Sequence, residues 1–153
     1  MDSTENSKGK LLIWGNGEDY RPKLYRDIFF AVGTPVFWFF LLPGFFDMAF
    51  SGTDSIFTLF VLGFMAWMIY DAYNSYRKTQ TNVAVYENVV EGAGIGKDSS
   101  SVQEFSLTYM QLSNATCDEE ALTINTSGAN FICYCNNASQ IQITINEKLQ
   151  QIK

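Results

Sequence analysis

Residues 121–135, ALTINTSGANFICYC, read as two short strands joined by a tight turn. Leu122 and Ile124 alternate with polar neighbours and so share one face of the first strand, while Ser127–Gly128 supplies the turn. Upstream, NVAVY (Asn82–Tyr86) and VVEGAGI (Val89–Ile95) predict a hairpin around Glu87–Asn88, and GKDSSS (Gly96–Ser101) reads as a loop. QEFSLTY (Gln103–Tyr109) predicts the next strand, and MQLSNATCDEE (Met110–Glu120) a turn followed by a short one. Downstream the period changes. Ala138, Ile141, Ile145, Leu149 and Ile152 recur at spacings of three and four, the mark of a helix with one apolar stripe. Asn137 followed by Gln140 resembles a capping box that starts this helix. The stripe is expected to cover an open face of the sheet, since a small β-layer cannot bury both of its faces alone.

Further upstream stand two uncharged runs. Ile28–Phe46 (IFFAVGTPVFWFFLLPGFF) would extend about 28 Å as a helix and Ser55–Tyr70 (SIFTLFVLGFMAWMIY) about 24 Å, close to the thickness of a bilayer's hydrocarbon. Their apolar residues surround each helix, which favours a transmembrane hairpin over two core helices of a water-soluble protein. Pro35 and Pro43 are better tolerated as kinks in lipid than inside a soluble helix. A cleaved signal peptide fits the first run less well, because the run is long, follows a polar tail and lacks a small-x-small cleavage site. Arg21, Lys23 and Arg26 precede the first run, Arg77 and Lys78 follow the second, and the connecting DMAFSGTD (Asp47–Asp54) has no basic residue. That distribution places both termini in the cytoplasm of a two-span cell-membrane protein. With no charge inside either run, nothing marks an ion path, and the hairpin reads as an anchor.

The expected organisation is thus α+β: an N-terminal tail over 1–26, a transmembrane hairpin over 27–76, and a small antiparallel β domain with a C-terminal helix over 80–153. Residues 1–10 (MDSTENSKGK) are polar and expected to lack order. Leu11–Trp14 and GNGED (Gly15–Asp19) read as a short apolar patch and a turn resting on headgroups.

The net charge of −6 is uneven: +1 over residues 1–26, −2 over 27–78 and −5 over 79–153. An acidic β domain excludes nucleic acid as a partner, because phosphate binding needs clustered Lys and Arg. The chain has no histidine, the side chain best suited to proton transfer near neutral pH and the commonest metal ligand. Three cysteines, Cys117, Cys133 and Cys135, are too few and too late in the chain for a disulfide scaffold. Cys133 and Cys135 share one face of a strand, where they could bind a soft metal with Cys117. No histidine or second pair completes a four-ligand site, and buried, inert thiols are favoured. GAGIGK (Gly92–Lys97) has neither phosphate-loop nor dinucleotide spacing, so strand glycines permitting a bulge or close packing are favoured. Asp118, Glu119 and Glu120 read as a solvated turn. Asn114, Asn125 and Asn137 begin Asn-x-Ser/Thr sequons, which matter only outside the cytoplasm. No catalytic, cofactor-binding or metal residue is assigned.

The run EFSLTYMQLSNATCDEEALTINTSGANFICYCNNASQIQITINEKL resembles the bacterial pleckstrin-homology-like domains, which commonly follow a pair of membrane spans in short proteins. The markers are a Tyr-x-x-Leu step (Tyr109–Leu112), a Leu-x-Ile-x-x-x-Gly hairpin (Leu122–Gly128) and the closing helix, over about residues 80–153. The phosphoinositide binders among pleckstrin-homology domains use basic residues around the first hairpin. Here that region has Glu87 and Glu91 and no Lys before Lys97, which disfavours phosphoinositide binding. The expected function is a membrane-anchored, non-catalytic binding or scaffolding protein whose partners are the lipid bilayer and a protein or a second copy. The alternative is an accessory subunit of a membrane transport or secretion assembly. An enzyme is disfavoured, since a cysteine nucleophile without histidine needs an unusual base.

Overall fold

Alternation of apolar and polar side chains from Asn82 onward produces six antiparallel strands, and a seventh comes from the N-terminal segment. The structure, a computed structural model, describes residues 8–41, 55–96, 101–119 and 121–152. In chain order the elements are β1 (Leu11–Asn16), a 3-10 turn (Glu18–Tyr20), α1 (Arg21–Leu41), α2 (Ser55–Thr79), β2 (Asn82–Tyr86), β3 (Val89–Gly96), β4 (Val102–Thr108), β5 (Leu112–Asp118), β6 (Ala121–Thr126), β7 (Asn130–Tyr134) and α3 (Ala138–Ile152). They form two units, one of residues 1–20 with 77–153 and one of residues 21–76.

In the first, the β unit, the strands run in the order β1-β2-β3-β7-β6-β5, with β4 paired to β3. The sheet forks at β3. Val90–Ala93 pair with β2 and Ile95–Gly96 with β7, while Val89–Ile95 pair with β4 along the opposite edge. Close approach at the fork explains the strand glycines: a Cβ on Gly92 would overlap the Asn82 carbonyl, and one on Gly94 would lie 3.0 Å from both Cys133 Sγ and Phe131 Cβ. Thr81 bridges the fork by accepting the Tyr134 N–H at 2.9 Å.

The curled sheet encloses a core in which Val83, Val85, Val90, Leu122, Ile124 and Cys133 are fully buried. Helix α3 completes it with Ala138, Ile141, Ile145 and Leu149, whereas Ile152, at the end of the stripe, is exposed. The same helix covers two strand edges. Asn137 Nδ2 donates to the Trp14 carbonyl on β1 at 2.7 Å. Asn146 accepts from the Ala115 N–H at 3.1 Å and donates to its carbonyl at 2.9 Å, pairing with β5 much as a neighbouring strand would. Asn137 therefore serves β1, and its Oδ1 accepts no hydrogen bond among the described residues, unlike a capping-box side chain.

Two expectations need correction. Leu11–Trp14 is part of β1, with Trp14 opposite Ala84 and Asn16 opposite Asn82, and is not a segment laid on headgroups. Its glycines are required by close contacts: a Cβ on Gly15 would overlap Asn137 Oδ1, and one on Gly17 the Lys78 carbonyl.

The second correction concerns the transmembrane hairpin. Among the described residues no helix is long and apolar enough to cross a membrane. Helix α1 begins with Arg21, Lys23, Arg26 and Asp27, and α2 carries Asp71, Arg77 and Lys78, so the described part of each helix is charged toward one end. The two-span cell-membrane placement, with both termini cytoplasmic, falls with the hairpin. Pro35 lies inside α1. Pro43, the end of the first run and the segment Asp47–Asp54 lie outside the described residues. Within this helical unit, buried Asp27 accepts a 2.5 Å hydrogen bond from Ser75 Oγ.

Candidate functional site

Strand registers build a shallow site on the outer face of β2, β3 and β4. Trp14, Ala84, Glu91 and Ser106 stand in one row across the sheet, and Asn16, Asn82, Ala93 and Glu104 in the next. Because Ala84 and Ala93 are too small to fill the middle of these rows, a cavity of about 560 Å³ opens between Asn82, Glu91, Glu104 and Ser106. Its floor is apolar and its rim polar and acidic.

Glu91 is the best-defined group of the rim. Its Oε1 accepts from Ser106 Oγ at 2.9 Å and its Oε2 from Lys8 Nζ at 2.7 Å. The Lys8 hydrogen bond, with help from Ser106 and the Lys8 charge, holds the Glu91 carboxyl below its ordinary range, although partial burial opposes the shift. Lys8 Nζ also sits 5.8 Å from the centre of the Tyr86 ring, within range of the ring's negative face. The chain reaches this position by extending the β1–β2 ladder: Asn88 N–H donates to the Lys8 carbonyl and Glu87 N–H to that of Lys10. Gly9, at φ 78°, turns the segment closely past Glu87. The face therefore holds a primary ammonium between a carboxylate and an aromatic ring.

A second cavity, of about 410 Å³, lies within the helical unit between Asp27, Asp71 and Arg26 on one side and Phe30, Phe64, Trp67 and Met68 on the other. Arg26 approaches Asp27 Oδ1 only at 3.4 Å, so the Ser75 hydroxyl is the carboxylate's shorter contact.

The three cysteines are free. Cys133 and Cys135 are fully buried, and Cys117 is half-buried, with its Sγ 3.3 Å from the Glu119 carbonyl. Burial pushes the Cys133 thiol far up, and burial followed by the nearby Cys117 and Asp19 pushes Cys135 up to about 11. Both stay protonated and un-nucleophilic near neutral pH. Among the described residues no group of three His, Cys, Asp or Glu side chains is placed to hold a metal ion. Asp118 and Glu119 stand at the β5–β6 turn, where Glu119 adopts φ 53°, and Glu120 lies outside the described residues. Of the sequon asparagines, Asn125 Nδ2 donates to Asn114 Oδ1 at 2.9 Å across β5 and β6, and Asn137 holds β1.

Sequence reasoning missed Lys8, Trp14, Glu104, Ser106 and Asp27. The period of two in β3 and β4 would have put Glu91, Ala93, Glu104 and Ser106 on one outer face. No local pattern announces the pairing of Lys8 with Glu91, because the two are 83 positions apart. In comparisons with protein-family models, curated proteins and solved structures, the chain matched none.

Proposed function

We propose that this chain is a non-catalytic protein-binding module, built on a pleckstrin-homology-like β unit, whose acidic outer face takes a cationic side chain from a protein partner. The observation that carries this function is the Lys8 ammonium at 2.7 Å from Glu91 and beside Tyr86, since it displays the ligand chemistry that the face accepts. A chain without histidine, whose core thiols are kept protonated by burial, supports binding over catalysis.

Affinity capture with the full chain tests the function. Proteins retained by the wild type and released by a Glu91→Lys, Glu104→Lys double variant are the expected outcome, because the variant reverses the charge of the rim without touching the core. Identical capture by both chains would overturn the assignment to this face.

A further inference from the structure

We infer that β4 is the receiving edge of the β unit and takes, as an added strand, an extended segment of a protein partner carrying Lys or Arg at every second position. The inference rests on the binding role proposed above and names the form of the ligand.

Among the described residues three strands pair on one side only: β1 with β2, β5 with β6, and β4 with β3. Helix α3 and the residue before it meet the first two, through Asn137 at the Trp14 carbonyl and through both hydrogen bonds of Asn146 at Ala115. Among the described residues they make no such bond to β4. An uncovered strand edge is a template for main-chain pairing with another extended chain.

The direction of the β4 backbone follows from its last residue. The Thr108 N–H donates to Gln111 Oε1 at 2.9 Å, and the Thr108 carbonyl accepts from the Gln111 N–H at 2.9 Å. Thr108 therefore does not exchange hydrogen bonds with Val89, its register partner on β3. Alternation in an antiparallel ladder then gives Leu107 and Phe105 to β3 and turns the N–H and C=O of Ser106 and Glu104 outward. The 2.9 Å contact between Ser106 Oγ and Glu91 agrees, since side chains of non-hydrogen-bonded pairs stand close.

The residues with outward backbone groups are also those whose side chains line the acidic face. A strand laid on β4 would place alternate side chains on that face, beside Glu104 and within reach of Glu91, on a floor of alanine and glycine that leaves them room. Charge complementarity thus selects a segment with a cation at each second residue. Lys8, which reaches Glu91 from the β1 side, shows that this face accepts a cation.

Selection from a random seven-residue peptide display library on the full chain, followed by binding and amide exchange with the selected peptides, tests the inference. Enrichment of Lys or Arg at alternate positions is expected, with slowed exchange at the Glu104 and Ser106 amides on binding. Ser106→Pro removes one outward N–H at a position where an edge strand tolerates proline, and is expected to weaken binding at least ten-fold. Should that variant fold poorly, peptides N-methylated at alternate residues carry the same test from the ligand's side. Peptides that lose affinity on Glu91→Lys yet bind Ser106→Pro undiminished, without slowing the β4 amides, would overturn strand addition and leave the cationic-ligand role standing. No enrichment at all would overturn both. Dimers of the full chain that dissociate on Ser106→Pro would make a second copy the occupant and overturn the inferred partner.

Discussion

In the β unit Leu122, Ile124, Ile141 and Ile145 are wholly removed from solvent, whereas in the helical unit Phe29 and Phe60 are each 70 % exposed. Both units carry large apolar side chains, and the contrast lies in their arrangement. A period of two along the strands, and of three and four along α3, collects apolar groups on single faces that meet inside the sheet. In α1 and α2 the apolar groups point to every side. Most of the large apolar side chains described on them stay exposed.

Core truncation gives the largest test of that contrast. Leu122→Ala is expected to cost about 2–5 kcal/mol in the β unit, from lost transfer energy and the cavity left behind. Phe60→Ala, at an exposed position, is expected to stay within about 0.5 kcal/mol. Hydrogen exchange at the Ile124 amide and urea unfolding read both. An equal cost for the two would break the comparison by showing that Phe60 is buried in solution.

Polar contacts sharpen it next, because each unit has a side-chain hydrogen bond whose loss leaves a partner unpaired. Removing the Ser75 hydroxyl by Ser75→Ala leaves the Asp27 carboxylate without its short partner and is expected to cost about 1.5–3 kcal/mol in the helical unit. Asn146→Ala is expected to cost about 1–3 kcal/mol in the β unit, since an N–H and a carbonyl on β5 lose their partner together. Helix-specific and sheet-specific signals in circular dichroism melts distinguish the two. If either substitution destabilises only the other unit, the division of contacts described above is wrong.

Alkaline pH separates the units further. The Cys133 and Cys135 thiols ionise at higher pH in the folded β unit than in the unfolded chain, so between those ranges the folded state binds more protons. Stability is therefore full below the thiols' ordinary range and falls as the pH rises through it, from about pH 8 upward. Urea midpoints of the β unit should drop accordingly, and a Cys133→Ala, Cys135→Ala variant should show a flatter profile. The helical unit has no cysteine and should lack this component.

The smallest expected effect is at the β5–β6 turn. Glu119 at φ 53° adopts a left-handed conformation that L-residues resist, and Glu119→Gly is expected to raise stability by about 1 kcal/mol. An unchanged or lowered thermal midpoint would show that the glutamate makes a compensating contact.

Legibility in the sequence follows the same divide. Strands β2 to β7 lie where alternation and turn residues put them, as NVAVY and ALTINT show, because one buried face fixes both register and direction. The stripe of α3 was readable for the same reason. Strand β1 was not: LLIW is a short continuous apolar run, and its partner β2 comes only after the helical unit. The membrane hairpin was over-read: among the described residues no helix is long and apolar enough to cross a membrane, and Arg26, Asp27 and Asp71 fall within the described helices. At the candidate site, Glu91 and Ser106 were open to periodicity, but Lys8 is brought to them by a turn at Gly9 that no pattern marks.

The insertion of α1 and α2 between β1 and β2 bears on how the chain folds. Asn16 pairs with Asn82, and Gly17 N–H donates to the Thr81 carbonyl at 2.8 Å, so β1 cannot join the sheet until a long intervening stretch has brought its two ends together. Closing that stretch while it is still a coil carries an entropic cost, which early coiling of the helices would lessen by shortening the effective loop. Strands β2 to β7 close shorter loops, and β1 is accordingly expected to add last of the seven.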